Sequence, residues 1–255
     1  GVIQRSLPAD YAPILSAMVL GEKKGIFPPV YQAMVKAGTV HILVVSGFNV
    51  GVVAFLVVLL LKTLRVKPRL RLYLSIPLLV IYCLITGSSN PVLRATVMAL
   101  VFLFAALLQR EPDVYNSCSL AALFILAFNP RQLFDIGFQL SFASVLAIVY
   151  LYPRLKAFLR LERCKAGFLR YLGEAALVSF SAWLGTAGLI FYNFGVFSPF
   201  TVLANLLIVP LATLITLSGL ALIAVSFILP AAGVALATFT ECLIALLLLL
   251  SRPFA

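Results

Sequence analysis

Residues 201–229 read TVLANLLIVPLATLITLSGLALIAVSFIL, a run of 29 residues without one charged side chain. At about 1.5 Å of rise per residue, a helix of roughly 20 residues crosses the hydrocarbon core of a bilayer, so this run is long enough to span it. Asn205 and Pro210 interrupt the run, and we expect either one kinked helix or two re-entrant half-helices here. Over the whole chain of 255 residues, 63% are hydrophobic and 11% are charged, which excludes an ordinary water-soluble domain.

Similar apolar runs recur along most of the chain, separated by turn-forming or charged stretches such as GSSNP at 87–91. The sequence therefore predicts an all-α, polytopic helical membrane protein with about eight membrane-crossing segments, at least one of them kinked or broken. The predicted segments are 40–61, 72–87, 92–109, 116–128, 136–152, 174–192, 201–229 and 232–250.

The N-terminal stretch is the least hydrophobic part of the chain. Pro28 and Pro29 precede VYQAMVKAG, which predicts a short interfacial helix closed by Gly38. We therefore expect residues 1–37 to be a partly soluble or interfacial segment and residues 38–255 to be a transmembrane domain.

The basic residues are concentrated in alternate loops. Residues 62–71 contain five basic side chains and no acid, and residues 153–170 contain six basic side chains and one acid. The intervening loops at 87–91 and 193–199 are uncharged. Because basic loops stay on the cytoplasmic side, the pattern predicts a multi-pass membrane protein with loops 62–71 and 153–170 in the cytoplasm.

The first polar cluster is HILVVSGFNVG, residues 41–51. His41 and Asn49 are eight residues apart and so project from nearly the same face of a helix. Ser46 lies on another face of that helix, five residues from His41. A serine nucleophile must approach its histidine base to about 3 Å, which this spacing on one helix does not allow, so an intramembrane protease is not expected.

The second cluster is GSSNPVLRATVM, residues 87–98, where Asn90 and Arg94 are four apart and share a helical face. Polar groups are costly inside hydrocarbon. An arginine in an apolar run therefore extends to the membrane interface, pairs with an acid or faces a water-filled cavity. The sequence leaves these three alternatives open for Arg94.

The third and fourth clusters contain further polar residues within apolar runs. FNPRQLFDIGFQLSF, residues 128–142, places Asp135 and Gln139 four apart on one face. Asp135 either caps a helix N-terminus or pairs with Arg94, since both are predicted near the outer ends of their helices. In TVLANLLIVP, Asn205 either belongs to a polar path or marks a kink that neighbouring helices stabilise.

Together these stretches resemble a known family. HILVVSGFNVG, GSSNPVLRATVMA, the run from Arg110 to Pro130, DIGFQLSFASVLAI and ANLLIVPL are similar to the ComEC family of DNA-internalisation competence proteins, in family order. The resemblance covers roughly residues 15–225 and implies a membrane-embedded domain like the inner-membrane channel that imports single-stranded DNA during natural transformation. Asn49 departs from the family, which usually has a histidine there, so an amide must replace whatever that ring does.

The resemblance also implies parts that this sequence lacks. Full-length members commonly add a soluble OB-like domain and a nuclease-like domain, yet the chain has one histidine and no HxHxDH run. We expect this chain to be the channel part of a longer protein, with neither a catalytic site nor a cofactor or metal. It contains no GxxxxGK[ST] loop, so any ATP hydrolysis that drives import would come from a separate cytoplasmic DNA-translocating ATPase.

A conduit for single-stranded DNA must offer water, cations and polar groups to a polyanion. Arg94 is the main candidate cation, and the other residues supply neutral or acidic polar groups. Two alternatives remain open, a secondary transporter for a small anionic solute, which would also use Arg94 and a broken helix, and a purely structural membrane subunit. The candidate path-lining residues are His41, Ser46, Asn49, Asn90, Arg94, Asp135, Gln139 and Asn205.

Overall fold

A computed structural model describes residues 2–22, 26, 46–110, 113–161, 167–226 and 229–251. These residues form helices and connecting turns, with no strand among them. A short 3-10 turn lies at Pro130–Phe134. The helices are α1 Val2–Ser6, α2 Ala12–Leu20, α3 Gly47–Thr63, α4 Pro68–Ile85, α5 Asn90–Leu107, α6 Val114–Phe128, α7 Ile136–Phe158, α8 Phe168–Phe194, α9 Thr201–Ser226 and α10 Pro230–Ser251.

Helices α3 to α10 correspond to the eight predicted segments, so the helical membrane fold is confirmed. In the described part of the chain, six of them are long and apolar enough to cross a bilayer. The other two are apolar but shorter, at 17 residues for α3 and 15 for α6. The predicted first segment began at residue 40, and its residues before 46 lie outside the described ranges, as does the predicted interfacial helix at 28–38.

Two predicted loop boundaries are wrong. Helix α4 already begins at Pro68 and α7 continues to Phe158, so much of the predicted loops 62–71 and 153–170 is helical. Hydropathy marks where apolar side chains stop, whereas backbone hydrogen bonding continues past the first charged residues. Pro68 suits the first turn of a helix, where its missing N–H has no partner to lose.

Helix α9 runs without interruption from Thr201 to Ser226 and contains Pro210. The alternative of two half-helices within these residues is therefore wrong. Proline removes one backbone hydrogen bond and crowds the preceding turn, so the predicted kink at Pro210 remains the expected shape of this helix.

The chain divides into two compact units. The first comprises residues 1–111 and 207–255, and the second comprises residues 112–206. In the first unit, the apolar sequence APILSAMVL forms α2, in which every residue but Pro13 and Leu20 is buried. A Cβ at Gly219 of α9 would collide with the Leu15 side chain of α2 and lie 3.1 Å from that of Val19, so these helices pack closely. The described part of the predicted interfacial segment 1–37 thus includes a core helix.

In the second unit, α7 and α8 form an antiparallel hairpin. Gly185 of α8 packs directly on Ala147 of α7, and a Cβ at 185 would also lie 3.2 Å from the Ala143 carbonyl oxygen. Small residues at such a contact let two helix backbones approach closely. At one end of the hairpin, Glu174 Oε1 lies 2.9 Å from Lys156 Nζ and 3.0 Å from Arg170 Nε.

Candidate functional site

The C-terminal carbonyl groups of α2 lie at the centre of the polar network in the first unit. The last turn of a helix leaves its carbonyls without intrahelical partners. Gly21, in the left-handed conformation at φ 80°, donates its backbone N–H to the Ala17 carbonyl. The Asn49 side-chain amide donates to the Met18 carbonyl at 2.8 Å, and the Tyr82 hydroxyl donates to the Val19 carbonyl at 3.3 Å. Three successive carbonyls of a buried helix end are therefore satisfied from three different parts of the chain.

This network gives Asn49 a structural role. Its side chain is 3% exposed and joins α3 to the end of α2. His41, predicted to share its helical face, lies outside the described residues. Ser46 is the N-cap residue of α3, in extended conformation, and its side chain makes no capping hydrogen bond.

We expect the stability of the first unit to depend on the Asn49 amide. Asn49→Leu leaves the buried Met18 carbonyl without its donor, which costs about 1–3 kcal/mol. Asn49→Asp is expected to cost more, because a carboxylate oxygen would face that carbonyl oxygen, whereas Asn49→His retains a ring N–H donor and should cost less. Thermal unfolding of the full-length protein in detergent measures the stability loss of each variant and so tests this order.

A matched control is Asn193→Leu, because the Asn193 amide donates to the Leu189 carbonyl on an exposed surface where water can replace it. We expect that variant to be close to wild type. An Asn49→Asp protein as stable as the parent would contradict the structural role of Asn49.

Arg94 lies in the second turn of α5 and is 3% exposed. Its neighbours on the helix, Val92 and Thr96, are also buried. The guanidinium therefore does not extend to the protein surface, which removes the first of the three sequence-based alternatives. Asn90, the first residue of α5, is exposed, so the two residues of the predicted polar face occupy different environments.

In the second unit, Asp135 is the N-cap residue of α7. Its Oδ1 accepts a hydrogen bond of 2.8 Å from the Phe138 backbone N–H, so the predicted capping role is confirmed. Gln139 donates from Nε2 to the Leu133 carbonyl at 3.0 Å, which joins the first turn of α7 to the preceding 3-10 turn. Both side chains thus shape the start of α7. Arg94 and Asp135 belong to different units, and their pairing stays a prediction.

Asn205 joins α9 to α8. Its Nδ2 lies 3.2 Å from the Ser179 hydroxyl oxygen. One turn further along α8, the Trp183 indole N–H donates to the Ser198 carbonyl at 3.0 Å, and the Trp183 ring lies 5.4 Å from the Phe197 ring.

No sequence-based prediction included Trp183, Ser198 or Tyr82. Trp183 and Tyr82 could have been singled out by their chemistry, since an indole N–H or a phenol hydroxyl in an apolar run needs a hydrogen-bond partner. Trp183 is also the only tryptophan of the chain.

Four of the candidates make hydrogen bonds to groups near the ends or sides of helices. Asn49 contacts the end of α2, Asp135 and Gln139 contact the start of α7, and Asn205 contacts α8. Convergence of these residues on one path stays a prediction.

Comparison with known proteins identifies the family of this chain. The family model for competence proteins matches residues 18–255. The chain belongs to the competence protein family. The match includes α3 and α5, which carry Asn49 and Arg94, and it extends into α2, whose end Asn49 caps. The resemblance seen in the sequence motifs is therefore confirmed.

Individual relatives of this competence protein come from several organisms. It is 32% identical to ComE operon protein 3 of Bacillus subtilis over 84% of the chain and 26% of the relative. It is 26% identical to Recombination protein 2 of Haemophilus influenzae over 78% of the chain and 26% of the relative. It is 27% identical to Competence protein ComA of Neisseria gonorrhoeae over 56% of the chain and 22% of the relative. The chain thus spans about a quarter of the length of these relatives. No solved structure matches it.

Within the residues that the structure describes, no three His, Cys, Asp or Glu side chains are grouped so that they could hold a metal ion. Among the described residues of the first unit, Arg94 is a buried cation.

Proposed function

We propose that this chain is the membrane-embedded part of an inner-membrane channel that imports single-stranded DNA during natural transformation. The match to the competence family along residues 18–255 carries the proposal. The eight apolar helices α3 to α10, six of which are long and apolar enough to cross a membrane, support a membrane-embedded part.

The strand brings one negative charge per nucleotide, so its path needs a cation held in a low-dielectric setting. Arg94 fits this role, because it is buried within a helix that is long enough to cross the membrane. The hydrogen bonds of Asn49, Asp135, Gln139 and Asn205 fix helix ends and helix contacts, so in this proposal these residues help to hold the helices in place beside the path.

The partners of the full-length protein follow from the same proposal. Relatives are about four times longer than the matched part, which leaves room for the OB-like and nuclease-like domains that the family resemblance implies. A cytoplasmic ATPase would pull the strand, since the chain has no phosphate-binding loop of its own. The chain itself performs no chemical conversion of DNA in this scheme.

The proposal predicts the sidedness of the loops. With the native cysteines replaced, Lys67→Cys should be shielded from a membrane-impermeant thiol reagent in intact cells, whereas Ser88→Cys should be labelled from outside. The physical reason is the retention of basic loops in the cytoplasm. A permeant reagent that labels both positions is the control, and external labelling at position 67 would reverse the topology.

The function is tested by deleting the gene in a naturally transformable host and following labelled DNA. We expect donor DNA to reach a nuclease-protected state outside the inner membrane but not the cytosol, and the intact gene to restore delivery. Normal delivery in the deletion strain would refute the proposal. Normal delivery together with defective uptake of a small anionic solute would favour the secondary transporter.

A further inference from the structure

The turn between α3 and α4 is held in one conformation by both helices. At the end of α3, Arg65 adopts the left-handed conformation at φ 57° and donates its backbone N–H to the Lys62 carbonyl. From α4, the Arg71 side chain reaches back and donates from Nη2 to the Val66 carbonyl at 3.2 Å. The backbone positions of the side chains in this turn are therefore fixed.

Four exposed cations lie in this turn and at its two ends, and we call them the basic turn. Within the part of the chain that the structure describes, no side-chain hydrogen bond or salt bridge involves any of them. In the second unit, by contrast, Lys156 and Arg170 both pair with Glu174. A group of like charges without internal counter-charges attracts an anion from outside the protein. The basic turn consists of Lys62, Arg65, Lys67 and Arg69.

Exposed apolar side chains begin directly beside these cations. Leu64 is 65% and Leu70 is 51% exposed. Further along α4, exposed apolar side chains recur every three or four residues and so form one stripe along the helix. Leu79 and Tyr82 of the same helix are buried in a core with residues of α3 and α5. The exposed stripe comprises Leu70, Tyr73, Leu74, Leu78, Ile81, Leu84 and Ile85.

The membrane fold determines what surrounds this surface. Helix α4 is long and apolar enough to cross a bilayer, so its exposed stripe suits hydrocarbon. Unpartnered cations are costly in hydrocarbon, which places the basic turn at the level of the lipid head groups or in the water beyond them. The boundary between head groups and acyl chains therefore crosses the start of α4, near Arg69 and Leu70. A ligand that covers both parts has negative charge at one end and apolar surface at the other.

We propose that the basic turn binds the phosphate of an anionic phospholipid, whose acyl chains lie along the exposed stripe of α4. Such a lipid combines negative charge and apolar chains in one molecule, whereas a DNA strand has the charge but no chains to cover the stripe. The fixed turn holds the four cations close together before the lipid binds, which lowers the entropy cost of binding. The proposal concerns the lipid-facing surface of the first unit and does not depend on the import of DNA.

Quenching of a fluorescent label shows which lipid lies beside α4. In the full-length protein with its native cysteines replaced, Leu74→Cys carries a bimane label on the exposed stripe, one turn from Leu70. The protein is placed in phosphatidylcholine nanodiscs in which part of the lipid is brominated phosphatidylglycerol or brominated phosphatidylcholine. We expect the anionic lipid to be preferred at this site about tenfold or more, and high salt to weaken the preference by screening. Equal quenching by the two brominated lipids would overturn the proposal.

A matched pair of variants tests the role of the cations. Arg69 and Arg131 are both exposed, and each follows a proline at the start of a helical segment. Arg69→Gln should lower the preference for phosphatidylglycerol about fivefold, because one of four attracting charges is lost. Arg131→Gln should leave the preference unchanged. If both variants kept the same preference as the parent, the basic turn would not be the site.

Oligo(dT) distinguishes DNA from lipid as the occupant of the basic turn. Both faces of a nanodisc are open to the solution, so the oligonucleotide can reach the turn whichever way the protein is inserted. We expect micromolar oligo(dT) to leave quenching by brominated phosphatidylglycerol unchanged. Relief of that quenching in the parent, and not in Arg69→Gln, would overturn the proposal and assign the basic turn to DNA.

Discussion

Arg94→Glu is expected to abolish delivery of DNA to the cytosol while the protein still accumulates in the membrane. Arg94 is 3% exposed in α5, so reversing its charge places a buried negative group where the proposed path needs a positive one. Arg94→Ala should also abolish import. Arg94→Lys should retain part of it, because the charge survives while the planar fork of the guanidinium is lost. Transformation frequency and uptake of labelled DNA measure the effect.

Arg131→Glu provides the matched control. Arg131 is exposed in the 3-10 turn before α7, and the same charge reversal there leaves water to solvate the new carboxylate. We expect that variant to import DNA at close to the wild-type level. Normal import by a folded Arg94→Glu protein would remove Arg94 from the path and favour a purely structural role for this domain.

Gly185→Leu is expected to destabilise the second unit by about 3 kcal/mol, since overfilling a close helix contact forces the backbones apart. A Cβ at this position would collide with Ala147, and the Ala143 carbonyl oxygen is 3.2 Å away, so the added side chain has no room. Thermal unfolding in detergent, followed for the full-length protein, measures the loss. The same variant should lose DNA import as α7 and α8 separate.

Two further variants make this result specific. Gly188→Leu lies on the same helix, but nothing is within 4 Å of a Cβ there, so its stability should stay near wild type. Combining Gly185→Ala with Ala147→Gly should restore much of what Gly185→Ala alone loses, because it removes the methyl group on the other side of the contact. A Gly185→Leu protein as stable as Gly188→Leu would show that the hairpin does not depend on this contact.

Several local features were predictable from sequence because their causes are local. Asp135 caps α7 as expected, since a carboxylate that precedes an apolar run satisfies a backbone N–H three residues on. The order and number of the apolar helices followed from run length, because a bilayer requires about twenty apolar residues per crossing. The helix ends at Pro68 and Phe158 were placed incorrectly, since charge marks the edge of the hydrocarbon and not the end of a helix.

Composition, run length and short motifs are local properties, so they were enough to identify a helical membrane protein of the competence family. Three features became visible only in the folded chain: α2 is buried, Asn49 and Tyr82 satisfy its last carbonyls, and the Ser198 carbonyl after α8 accepts a hydrogen bond from Trp183. These features join residues far apart in sequence. Helices that are apolar on every side give no pattern to distinguish a lipid-facing surface from one that faces protein, so packing alone sets which polar groups meet.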